Sequence, residues 1–167
     1  MTNCYRTWLI LSILLSGVAR GTVIYVDADA TGSNNGSSWT DAHTDLQDAL
    51  AAAGSGHEVW VAEGTYYPTS TSTRTFSFHL ETGVAVYGGF DGTETQLSQR
   101  DWQTNVTTLS GAIGAGADTD NTYHVVIGSG VTSTAILDGF TITKGYARRD
   151  RAEAELYGPP NASWNNA

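Results

Sequence analysis

Asp27 and Asp29 stand two residues apart in YVDADATGSNNGSSWTD, Tyr25–Asp41, a stretch whose residue types could hold a cation. With Thr31 and Gly32 they match the first, third, fifth and sixth positions of an EF-hand loop, where oxygens surround calcium and a glycine permits the sharp turn. The match ends at the twelfth position, where Ser38 stands in place of the bidentate glutamate. A β-branched run, not a helix, leads into the loop. Asp, Asn, Ser and Gly also suit a solvated turn that binds nothing. Two readings therefore stand: calcium on Asp27 and Asp29, or a turn without a cofactor.

Sugar chemistry would need two carboxylates facing each other across a cleft. Asp27, Asp29, Asp45, Glu63, Asp91, Asp101 and Asp138 supply the groups, but spacing alone does not show which converge. Aromatic side chains could instead stack on sugar rings. Trp39, Trp60, Tyr66, Tyr67, Tyr87 and Trp102 are available, and Tyr66-Tyr67-Pro68, just past a strand end, is the pair expected to be exposed. His43, His57, His79 and His124 are isolated, with no H-x-x-x-H pair to seat a metal. GAIGAGAD lacks the third glycine of a dinucleotide loop, and no G-x-S-x-G is present.

The elements that would carry these groups follow from composition and patterning. With 17 acidic and 8 basic residues the net charge is -9, which argues against a nucleic-acid partner. At 40% hydrophobic, the chain is too apolar for a disordered tail. MTNCYRTWLILSILLSGVARG, residues 1–21, has the layout of a secretory signal peptide: Arg6, an apolar run from Trp8 to Leu15, then small residues. Cleavage after Gly21 or after Ala19 would suit it. The run is too short to span a bilayer. Cys4, the sole cysteine, lies in this leader, so the mature chain is expected to have no disulfide and no membrane span, and to be exported.

TVIYV reads as a first strand. In TDLQDALAAAG, Leu46, Ala49, Leu50 and Ala53 form one helical stripe, with Thr44 and Gln47 as a capping box and Gly54 as the stop. Short strands are then expected at Glu58–Ala62, Thr75–Leu80, Val84–Phe90 with a break at Gly88-Gly89, Val106–Gly111, His124–Gly130 and Thr134–Thr143, with Asp138 turning the chain in the last. An antiparallel sandwich and a parallel β-helix both accommodate such strands. The scarcity of hairpin dipeptides favours the β-helix, in which the single helix would cover the open end of the stack.

The stretch IYVDADATGSNNGSSWTDAHTDLQDALAAAGSGHEVWVAEGTYYPT, with VAVYGGFDGTETQLSQRDW and ILDGFTIT, resembles the N-terminal region of secreted right-handed parallel β-helix proteins, the pectin-lyase-like fold. The resemblance covers roughly residues 22–146. It implies a mainly β domain, 22–146: a right-handed parallel β-helix with an N-terminal helical cap, cut off after a few coils. Polysaccharide lyases of this fold use Arg or Lys as the base, often beside calcium, and this region offers Arg74, Arg100 and Lys144, none in a recognisable motif. Arg100-Asp101 reads as a structural pair. Residues 147–167, with a Pro-Pro and three closely spaced arginines, depart from the pattern and are expected to be poorly ordered. The functional expectation is an exported, non-catalytic surface protein touching polysaccharide or a cell-surface component. The alternatives are a lyase or glycosidase whose active-site coils lie further on, and an adhesin.

Overall fold

The computed structural model describes residues 21–147. All of the expected leader except Gly21, and all of the expected tail except Ala147, lie outside the described residues.

The described chain is mainly sheet, with parallel strands and a single α-helix. In chain order the elements are β1 (Val23–Val26), α1 (Leu46–Ala52), β2 (Glu58–Ala62), β3 (Gly64–Tyr66), β4 (Phe78–His79), β5 (Ala85–Phe90), β6 (Thr107–Ser110), β7 (Val126–Ile127), β8 (Ile136–Asp138) and β9 (Phe140–Thr143). They form three sheets, β1-β2-β5-β8, β3-β6-β9 and β4-β7, and every strand pair is parallel. From β2 onward each strand pairs with the one three places later. No described helix is long and apolar enough to cross a membrane.

Strand alternation fixes what faces the core. Ile24, Val59, Val86 and Leu137 share one register row of the first sheet, and Tyr66, Leu109 and Ile142 share one of the second. Phe78 adds the third wall, and all of these side chains except Ile142 belong to or pack against one continuous apolar cluster. Inner-row exposure rises at the far edge: Tyr66 is 3% exposed, Leu109 1% and Ile142 52%.

At the other edge the loop Asp27–His43 completes β1. The Tyr25 N–H donates to the Gly36 carbonyl (3.0 Å), the Asp27 N–H to the His43 carbonyl (2.9 Å) and the His43 N–H to the Tyr25 carbonyl (2.9 Å). The β1 edge is therefore hydrogen-bonded, as an unpaired edge would not be. α1 packs beside it on β1, β2 and β4, burying Leu46, Ala49 and Leu50. Its cap is one residue later than the sequence suggests. Asp45, not Thr44, is the N-cap and accepts the Gln47 N–H (2.8 Å). The Gln47 side chain does not reach back; it donates to the carbonyls of Pro68 (2.8 Å) and Ser77 (3.1 Å).

Other boundaries shift for physical reasons. The run Thr75–Leu80 contributes only Phe78–His79 to a sheet, and His124–Gly130 only Val126–Ile127, because these two short strands pair only with each other. Gly88-Gly89 does not break β5. Pairing slips there from Trp60–Tyr87 to Ala62–Phe90, a bulge in which Gly89 adopts φ +94°. Gly139, at φ +83°, makes the expected turn after Asp138 and divides the last apolar run into β8 and β9.

Three turn aspartates have carboxyls held below the ordinary range. At Asp41 the main cause is the Ser33 backbone N–H (2.7 Å), at Asp91 the Thr93 hydroxyl (2.6 Å), and at Asp101 the Thr104 hydroxyl (2.9 Å). A carboxyl depressed in the folded state contributes stability above its unfolded pKa, about 3.9, and loses it as pH falls through the lower folded value. Melting temperature is therefore expected to fall as pH drops below about 4. Replacing these three residues together with Asn should flatten that acid limb in thermal melts.

Candidate functional site

The face of the first sheet opposite the core carries a second register row: Tyr25, Trp60, Tyr87 and Asp138, one from each strand. Parallel pairing stacks these positions about 4.8 Å apart, so the aromatics meet side by side. Tyr25 and Trp60 pack edge to face with centroids 5.9 Å apart, and Trp60 stacks on Phe90 at 4.8 Å. Trp39 folds over from the opening loop onto Tyr25 (4.8 Å) and Phe90 (5.5 Å). Its indole N–H donates to the Glu94 carbonyl (2.9 Å). The Ser-Trp landmark thus anchors the loop to the turn after β5.

The segment 95–102 then crosses this face. Gln99 Oε1 accepts the N–H groups of Thr95 (2.9 Å) and Gln96 (2.8 Å), closing a short 3-10 turn. Between that turn and the sheet lies a cleft of about 770 Å³, bordered by Tyr25, Glu58, Trp60, Gln96, Arg100 and Trp102. A smaller cleft of about 320 Å³, between Val106, Asp138, Phe140 and Thr141, shares Trp102 with it. Trp102, 55% exposed, is the residue common to both.

The charged groups here already have partners. Glu58 accepts the Trp60 indole N–H (2.8 Å). Arg100 pairs with the Asp138 carboxylate, donates to the Gly88 carbonyl (3.2 Å), and lies 5.1 Å from the centre of the Tyr87 ring. Burial pushes the Tyr87 hydroxyl above its ordinary pKa, the Glu58 charge adds to this, and Arg100 opposes it. Arg100 and Asp101 do not pair. Asp101 instead accepts the Gln103 N–H (3.1 Å) and the Thr104 hydroxyl (2.9 Å), closing its own turn.

The groups named from sequence sit elsewhere. Asp27 Oδ1 accepts the Asp29 N–H (2.9 Å), an Asx turn. Asp29 is exposed, and among the described residues no three His, Cys, Asp or Glu side chains converge as metal ligands. Tyr66 offers no ring face to a sugar: it is 3% exposed, packed in the core, with its hydroxyl donating to the Ala62 carbonyl (3.2 Å). Burial raises its hydroxyl pKa well above the tyrosine range. Tyr67 is 45% exposed but does not border the groove. Sequence reasoning missed Glu58 and Gln96. Glu58 was within reach, because strand alternation in EVWVA puts it on the same face as Trp60.

Comparison with protein-family models, with curated proteins and with solved structures gave no match.

Proposed function

We propose that this chain is the N-terminal part of an exported right-handed parallel β-helix protein that contacts polysaccharide through the outer groove without cleaving it. The fold reading is supported by the recurrence of parallel pairing at every third strand, with α1 and the opening loop covering one end. Export rests on the signal-like residues 1–21. The observation that carries the functional reading is the groove itself: a concave surface mixing indole and phenol rings with a few hydrogen-bonding side chains.

The lack of turnover rests on the same groups. Glu58 is engaged by Trp60, and Asp138 is engaged by Arg100, the groove's cation. General acid–base catalysis needs such groups directed at the substrate. Screening the full chain against neutral and acidic polysaccharides, with and without chelator, is expected to yield no new reducing ends and no unsaturated uronates. Chelator-sensitive cleavage would instead favour the lyase.

Calcium has no part in this reading, because the Asp27 carboxylate already serves the turn. Calcium at a hundred times its dissociation constant would add about 2.7 kcal/mol and raise the melting point by several degrees. Melting curves in millimolar calcium and in EDTA are expected to superimpose. A separation of several degrees would show that the folded protein binds calcium and would overturn this part of the reading.

A further inference from the structure

We infer that the groove is built for an uncharged glycan, with Trp102 as the platform and uronic-acid polymers excluded. This rests on the polysaccharide-contact reading and specifies its ligand. Carboxylate recognition requires a cation with donors to spare, usually an arginine fork. Arg100 is the cation bordering the groove, its side chain is only 15% exposed, and both of its terminal nitrogens are engaged. One terminal nitrogen faces the carbonyls of Gly88 (3.2 Å) and Asp138 (3.4 Å), and the other holds the Asp138 carboxylate. Its remaining surface lies against Tyr87. Drawing it away to bind a uronate would leave Asp138 without its partner and free the Gly88 and Asp138 carbonyls.

The field opposes uronates as well. Glu58 and Asp138 set two negative charges against one positive charge, within a chain of net charge -9. A polyanion would meet repulsion along its length.

An uncharged sugar has no such obstacle. Its C–H face can lie on the indole of Trp102, a residue more than half exposed and shared by the two clefts. Its hydroxyls can both donate and accept, which suits an amide neighbour such as Gln96. The larger cleft, about 770 Å³, falls within the size range of small-molecule sites, about 300–1,000 Å³, enough for a few sugar units of a longer chain.

The test is affinity electrophoresis of the full chain, in EDTA at low salt, through gels containing mixed-linkage β-glucan, galactomannan, polygalacturonate or alginate. Retardation by at least one neutral polymer and by neither acidic one is expected. Trp102→Ala should weaken the neutral interaction about tenfold, and Trp102→Phe should retain most of it. A thermal melt of each variant separates loss of binding from loss of fold. Retardation by polygalacturonate or alginate would overturn the neutral-glycan inference and leave the contact function standing. No retardation by any polymer would overturn both. Retention undiminished in a folded Trp102→Ala protein would remove Trp102 as the platform and overturn the inference.

Discussion

Leu46→Ala is expected to cost about 2–5 kcal/mol of unfolding free energy, the range for truncating a buried leucine. Leu46 is 1% exposed and belongs to the same apolar cluster as Ile24, Val26 and Val59. α1 has only seven residues, far too few to be stable alone. Its helicity therefore depends on burying Leu46, Ala49 and Leu50. A domain of this size has about 5–15 kcal/mol in total, so the loss would be a large fraction. Urea unfolding followed by tryptophan fluorescence would measure it. Ala51→Ser, on the exposed side of the same helix, should stay within about 0.5 kcal/mol.

Gly88→Val is expected to be at least as damaging, about 3 kcal/mol or more, through overpacking. Gly88 lies in β5 where it passes the Gly139 turn and β6. A Cβ there would sit 2.6 Å from the Gly139 carbonyl oxygen and 3.0 Å from the Thr107 Cβ. The oxygen is backbone, in a turn also held by Arg100, so it cannot swing aside. The same shift would disturb Arg100, which donates to the Gly88 carbonyl (3.2 Å), and with it the floor of the groove. Gly54→Ala provides the contrast, since a Cβ at Gly54 meets nothing within 4 Å. The yield of soluble protein and the urea midpoint should separate the two variants clearly.

Local pattern carried far through this chain wherever one element decides its own fate. The short apolar run in EVWVA yields β2 with the expected ends, and the apolar stripe in LQDALAA yields α1. Its cap moved by one residue because Asp45 and Thr44 are both good caps, and Gln47 found carbonyl partners on Pro68 and Ser77. β3 escaped notice because three residues with only Tyr66 buried carry no readable period. The Tyr66-Tyr67 pair illustrates the same limit. Neighbours on an extended chain point to opposite sides, so one ring enters the core and the other faces water, and sequence alone does not say which.

The groove was least legible, since Glu58, Arg100, Trp102 and Asp138 come together only through parallel register. Arg100 shows this most plainly. Its partner is not the adjacent Asp101 but Asp138, which the β5–β8 pairing brings beside Tyr87.

The central claim is that a glycan rests on Trp102 in the outer groove. Indole N–H resonances of the ¹⁵N-labelled full chain, followed during titration with a neutral β-glucan oligosaccharide, test it most directly. The Trp39 indole is tied to the Glu94 carbonyl and does not border the cleft, so it serves as an internal reference. The expected result is a saturable shift of the Trp102 signal, a smaller one for Trp60, which borders the cleft, and little change at Trp39. An unmoved Trp102 signal, or saturable shifts confined to Trp39, would contradict the account.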